Sequence, residues 1–262
     1  MRIALLQYPI EWADIETNTN LTQRRLEALR GKADVALLPE MFTTGFCTDR
    51  PELAEPMDGP TVSRLREWAH RFDMAIAGSF MAADKQNLYN RGFFIRPDGD
   101  CDFVDKRHLY AHGGEASFFT PGQKRVISEY KGVRFCLLIC YDLRFPVWSR
   151  NGSGFDYDVL LYTANWPEIR IKAWDTLLPA RVIENQCIVC ACNRVGDDAL
   201  GLHYPGHSMV LDSHLNNLVT LSNDEAGTAI VELPVDKIRH YRQTLPLWKD
   251  ADKFALDIQT ES

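Results

Sequence analysis

Three short apolar runs each end in a residue able to do chemistry. "VALLPE" ends at Glu40, "DFVDK" at Lys106 and "RFCLLIC" at Cys140. A carboxylate, an ammonium and a thiol supply a general base, a cation for a developing oxyanion and a nucleophile. Each alone is weak evidence, because an ionisable group just past a buried strand is easily solvated or paired. Cys140 alone reads as a small buried apolar residue, like Cys136 before it. Together the three describe acyl transfer through a thioester. A free thiol has a pKa of about 8.5, so it needs a base. Glu40 can accept its proton, return it to a leaving amine and then activate water. Lys106 and the backbone N–H of Tyr141 can receive the oxyanion, each such donor being worth roughly 2.7–4 kcal/mol in the transition state.

This set needs a scaffold that gathers strand ends. Short apolar runs recur along the chain, among them "RIALLQ", "DVALLPE", "MAIAGSF", "DVLLYTAN" and "GTAIVEL". Several are nearly continuous, as strands buried on both faces are. Helical patterns lie over 18–30, 61–72 and 170–185. Pro60 suits a helix start, and Pro179 is expected to kink or shorten the third helix. Asp98-Gly99 marks a hairpin turn. Helices alternating with hairpins argue for an α/β domain with mixed sheets, where ligands collect at the carboxyl ends of strands. No linker divides the chain, so one domain is expected over 1–262.

Composition narrows the function. The 262 residues carry a formal net charge of −7, which disfavours a nucleic-acid partner. No run has the apolar length of a membrane span, and the N-terminus lacks a signal-peptide pattern. The seven cysteines, an odd number set mostly in apolar runs, read as reduced thiols of a cytoplasmic protein.

Four blocks carry a resemblance: "LLPEMFTTGF" (37–46), "DKRHL" (105–109), "CYDLRFP" (140–146), and "ANWP" (164–167) with "ARVIENQ" after it. The chain resembles the nitrilase superfamily of carbon–nitrogen hydrolases over nearly its whole length. The resemblance implies a four-layer αββα sandwich with two mixed sheets, paired through helical layers into an isologous dimer or larger assembly. It implies an amidase or nitrilase with no metal and no cofactor. Glu40, Lys106 and Cys140 occupy the triad positions. Glu115, in "HGGEASFFTPG", resembles a further catalytic glutamate that orients Lys106 or helps place the substrate amide or the water. The "MFTTGF" and "CYDLRFP…ANWP" blocks are most similar to the omega-amidase branch, which hydrolyses terminal amides of small dicarboxylate monoamides such as 2-oxoglutaramate. Phe42, Tyr141, Arg144 and Trp166 in these blocks are the expected substrate-binding residues. Arg144 is open to two readings, a pair with Asp142 or a grip on a substrate carboxylate, and Arg170 is a second candidate for that grip. Trp166 reads equally as pocket wall or core.

Other residues carry less. Cys187, Cys190 and Cys192 in "CIVCAC" fall on alternating strand faces and read as core rather than a metal site. His203 and His207 read as loop residues bonded locally, and Arg181 and Glu184 as a structural pair. Rival functions are hydrolysis of another small amide, carbamoyl amide or nitrile; a Cys–His acyl hydrolase using His207; and a non-enzymatic binding protein on the same fold.

Overall fold

The computed structural model describes residues 1–152, 154–252 and 254–256. The strands are β1 (Arg2–Gln7), β2 (Val35–Leu37), β3 (Glu55–Pro56), β4 (Ala75–Asp84), β5 (Asn87–Ile95), β6 (Cys101–Asp105), β7 (Ile127–Tyr130), β8 (Val133–Ile139), β9 (Val159–Ala164), β10 (Ile188–Asn193), β11 (Val195–Asp197), β12 (His203–Pro205), β13 (Met209–Leu211), β14 (Asn217–Thr220) and β15 (Gly227–Glu232). The α-helices are α1 (Ile15–Glu27), α2 (Pro60–Phe72), α3 (Ile171–Asn185) and α4 (Val235–Thr244).

One sheet runs β15-β1-β2-β4-β5-β6, with β3 paired to β4; the other runs β14-β13-β10-β9-β8-β7. In each sheet three parallel strands (β1, β2, β4 and β8, β9, β10) are flanked by antiparallel neighbours. Strand side chains alternate in direction, and that parity sorts the core into layers. Ala4, Leu6, Ile76 and Phe93 face outward against Leu26, Leu65, Trp68 and Phe72 of α1 and α2. Ile3, Leu5, Leu37 and Phe94 face inward onto Phe135, Leu137, Leu161 and Cys190 of the second sheet. Leu138, Leu160, Tyr162 and Val189 face out against Trp174, Leu178 and Val182 of α3. The expected αββα sandwich with two mixed sheets is observed. Each such large apolar side chain, fully buried, contributes about 1.5–3 kcal/mol.

Local signals hold with two amendments. The first helix begins at Ile15 because the Asp14 side chain caps the N–H of Thr17 (3.0 Å), and it ends at Glu27, before Leu29. Pro179 does not shorten α3, which runs unbroken to Asn185. Trp174, Leu178 and Val182 anchor it to the sheet on both sides of the proline, and that burial offsets one lost backbone bond. The turn at Asp98-Gly99 joins β5 to β6, with Gly99 at φ +94°. Cys190 and Cys192 point between the sheets while Cys187 faces α3, so these thiols are core. Among the described residues no helix is long and apolar enough to cross a membrane.

Candidate active site

The two sheets pack face to face, and past the carboxyl ends of their parallel strands Glu40, Lys106, Cys140 and Asn165 come together. Glu40 follows β2 in a turn held to β4, where the N–H of Met41 (φ +45°) donates to Ser79 Oγ (2.9 Å). Lys106 is the residue after β6. Cys140 and Asn165 come from the opposite sheet, immediately after β8 and β9. Asn165 bolts the sheets together: its N–H donates to Glu40 Oε2 (2.8 Å) and its Nδ2 to the Glu40 carbonyl (2.8 Å).

The charged cluster is dry. Glu40, Lys106 and Glu115 are each 1% exposed or less. Lys106 Nζ donates to Glu40 Oε1 (2.9 Å) and to both oxygens of Glu115 (3.1 and 2.8 Å). The Tyr110 N–H donates to Glu115 Oε2 (2.7 Å). Burial alone would lower the Lys106 ammonium, but Glu115 and Glu40 outweigh it and hold the group above its ordinary range. Burial pushes the Glu115 carboxyl up, with Lys106 pulling against it. Burial also pushes the Cys140 thiol well above its ordinary value; Glu40 adds to the rise and Lys106 opposes it. Both influences favour the neutral thiol, so any attack by the Cys140 sulfur would need a base beside it.

Cys140 has φ +44°, a left-handed conformation that costs a non-glycine residue roughly 1–2 kcal/mol. The strain comes from a sharp turn between β8 and the short 3-10 helix Cys140–Arg144, which presents the thiol at the sheet end. Asp142 holds that turn, accepting from the N–H of Ile139 (3.1 Å), the N–H of His108 (2.9 Å) and His108 Nδ1 (2.8 Å). The N–H of Tyr141 lies in the first turn of this helix and has no intrahelical acceptor, so it is open to a ligand oxygen.

Cys140 and Lys106 open onto a cavity of about 290 Å³, whose walls include Phe46, Tyr110, Tyr141, Arg144, Trp166 and Arg170. Asp142 is consumed by Ile139 and His108, which leaves Arg144 free of it. Among the described residues neither Arg144 nor Arg170 has a carboxylate within ion-pairing distance. The Arg144 guanidinium lies over Trp166, 5.0 Å from its ring centroid, and that of Arg170 lies 5.1 Å from the Tyr110 ring. Trp166 is both wall and core: it lines the cavity, packs on Trp174 with ring centroids 5.5 Å apart, and donates Nε1–H to the Arg170 carbonyl (2.9 Å). A larger cleft of about 700 Å³, near Arg134, Asp158, Arg239 and Arg242, holds none of the strand-end residues, and its charges pair with each other.

One expected residue is misplaced. Phe42 is fully buried on the helix side of the first sheet, edge-on to Phe93 at 5.8 Å, and does not reach the cavity. The turn after Glu40 rotates it away, and Phe46 takes the wall position, with Lys106 Nζ 5.2 Å from its ring centroid. Neither histidine reaches the thiol: His203 stands in β12 rather than a loop and bridges Asp197 (2.7 Å) and Asp224 (2.8 Å), and His207 bonds not a near neighbour but Asp175 on α3 (3.0 Å). Arg181 and Glu184 pair at 2.7 Å, as expected. Sequence reading passed over Asn90, Tyr110 and the wall from Asp198 to Tyr204. Only Asn90 carried a signal, a strand-disfavoured amide inside "NLYNRGFFI".

The family described as Carbon-nitrogen hydrolase matches residues 2–243. The chain is 42% identical over 256 residues to omega-amidase YafV of Yersinia enterocolitica, covering 98% of each chain. It is 31% identical to the 2-oxoglutaramate amidase of Bacillus subtilis, covering 96% of this chain and 97% of the relative. The crystal structure of XC1258 from Xanthomonas campestris, a CN-hydrolase superfamily protein with an arsenic adduct in its active site, superposes with a TM-score of 0.94 at 38% identity, covering 98% of each chain.

Proposed function

The chain belongs to the carbon–nitrogen hydrolase family and is omega-amidase-like, and from that premise we propose that it hydrolyses the terminal amide of short dicarboxylate monoamides of the 2-oxoglutaramate type. The observation that carries the substrate reading is the pair of guanidiniums, Arg144 and Arg170, in the wall of the cavity that holds Cys140, neither with a carboxylate partner among the described residues. The protein is net acidic, so its overall field repels an anion. A carboxylate must therefore be drawn by local cations, and arginine can hold one through two parallel hydrogen bonds.

In the proposed reaction Glu40 takes the Cys140 proton as sulfur attacks the amide carbon. Lys106 and the Tyr141 N–H stabilise the oxyanion of the tetrahedral intermediate. The longest Lys106 bond, 3.1 Å to Glu115 Oε1, is the one it can most readily give up to do so. The C–N bond then breaks, Glu40 returns the proton to the departing ammonia, and a thioester remains on Cys140. Water, deprotonated by Glu40, attacks the thioester carbon; the C–S bond breaks, Glu40 returns the proton to the departing Cys140 sulfur, and the free acid leaves. Glu115 acts as the anion that fixes Lys106.

Succinamate-like and 2-oxoglutaramate-like monoamides should be hydrolysed far better than neutral amides of equal length, with ammonia release as the readout. Arg144→Leu should lower kcat/KM for them by roughly 10- to 100-fold, the scale of a hydrogen bond to a charged group. It should leave thioester formation from a neutral activated ester nearly unchanged. Equal turnover of neutral butanamide by the wild type would remove the dicarboxylate reading and leave a general amidase.

The protein is further proposed to act as a homodimer. Ile183 on α3 and Val147 after Phe145 are exposed apolar residues that support pairing through this face. Light scattering should give twice the chain mass of 29.9 kDa. A fully active monomer at micromolar concentration would contradict it.

A further inference from the structure

Asn90, in β5, is the ladder neighbour of Lys106, whose N–H donates to the Asn90 carbonyl (3.0 Å). It is 1% exposed and does not line the cavity. Its Nδ2 carries two hydrogens and divides them between the two glutamates, Glu40 Oε1 at 2.8 Å and Glu115 Oε1 at 2.9 Å.

A carboxylate offers about four acceptor positions, two on each oxygen. On Glu115 all are filled: Oε1 by Asn90 and Lys106, Oε2 by Lys106 and the Tyr110 N–H. Glu115 cannot bind a proton without displacing a donor. On Glu40, Oε1 is filled by Asn90 and Lys106, but Oε2 accepts only the Asn165 N–H. Among the described residues, one acceptor position in the cluster has no hydrogen-bond donor, and it lies on Glu40 Oε2. Without Asn90, Oε1 of both glutamates would open as well.

We propose that Asn90 is a positioning residue that blocks Oε1 of both carboxylates and so directs the Cys140 proton to Glu40 Oε2. The S–H bond breaks, an O–H bond forms at Oε2, and the same proton later leaves on ammonia. A second consequence follows when Lys106 turns to the oxyanion. Asn90 still satisfies Glu115 Oε1, which keeps the buried carboxylate from being left without a donor there.

This rests on Glu40 being the base, so Glu40→Gln is measured in parallel. Asn90→Ala should lower kcat by roughly 10- to 100-fold, the equivalent of losing a hydrogen bond to a charged group. KM should stay within about threefold, since Asn90 does not touch the cavity. The acid limb of kcat/KM should move to higher pH, because a glutamate with fewer donors protonates more easily. Asn90→Asp, which sets a third carboxylate beside the two, should move it further. An unchanged acid limb, or a raised KM with normal kcat, would overturn the proposal. If Asn90→Ala does not fold, Asn90→Ser, which keeps one donor, is read by the same criteria. Activity retained in Glu40→Gln would instead overturn the base assignment. An inactive Glu40→Gln beside a wild-type-like Asn90→Ala would overturn the role of Asn90 alone.

Discussion

Replacing Cys140 with alanine should abolish turnover, with kcat falling by roughly 10⁶-fold, the scale seen when a covalent nucleophile is deleted. No other thiol lines the cavity; Cys101, half-buried at the start of β6, and the buried Cys47 both lie outside it. Cys136, Cys187, Cys190 and Cys192 are fully buried among apolar side chains. Burial pushes Cys187 and Cys192 up to about 12, and neither stands beside the Glu40 and Lys106 side chains that flank Cys140. Alanine keeps the Cβ that the left-handed backbone at Cys140 already accommodates, so the fold should survive. Circular dichroism would show it intact while ammonia release is lost. Mass spectrometry of the wild type after a slow activated ester should find a single acyl adduct, on Cys140. An adduct on Cys187 or Cys190 would refute the assignment.

The second large effect is expected at Glu40. Glu40→Gln is isosteric, yet every group facing that carboxylate is a donor: Lys106 Nζ, Asn90 Nδ2 and the Asn165 N–H. An amide can turn its oxygen to only one side, so its own N–H₂ must meet a donor on the other. The variant should lose about 1–3 kcal/mol of stability for that buried mismatch. It should also lose the proton acceptor for the thiol, which rests protonated. A general base contributes roughly 10²–10⁴-fold, and Glu40 is asked to act in both halves of the reaction, so a loss near the upper end is expected. Thioester formation and thioester hydrolysis should both slow, as stopped-flow measurement with a chromogenic ester would separate. Retention of more than about a tenth of wild-type activity would mean that another group takes the proton.

Much of this was legible one residue at a time. The near-continuous apolar runs in "RIALLQ" and "VRFCLLIC" mark strands with two buried faces. The spacing of Val62, Leu65, Trp68, Ala69 and Phe72 marks one apolar helix face behind Pro60. Both are local periodicities, set by the geometry of strand and helix. The positions of Glu40, Lys106 and Cys140, just past strands of these two sheets, follow from the same pattern. Their block sequences then identify the family.

Other features have no local signature. Phe42 and Phe46 sit in one block and look alike as residues, but a left-handed turn at Met41 sends the first into the core and leaves the second beside Lys106. Arg144 and Asp142 are close in sequence with opposite charges, yet Asp142 is taken by His108, 34 residues away. Asn90 lies 50 residues from Glu40 and 25 from Glu115, and it bonds both. These outcomes depend on which strands are neighbours and on how one sheet lies over the other. The chain by itself determined which side chains stand at strand ends, because strand and helix periods are properties of a few consecutive residues. Only the tertiary structure, through the order of strands in the first sheet and the packing of the second over it, decided which donors fill which carboxylate oxygens, because a hydrogen bond near 3 Å depends on distances between segments remote in the chain.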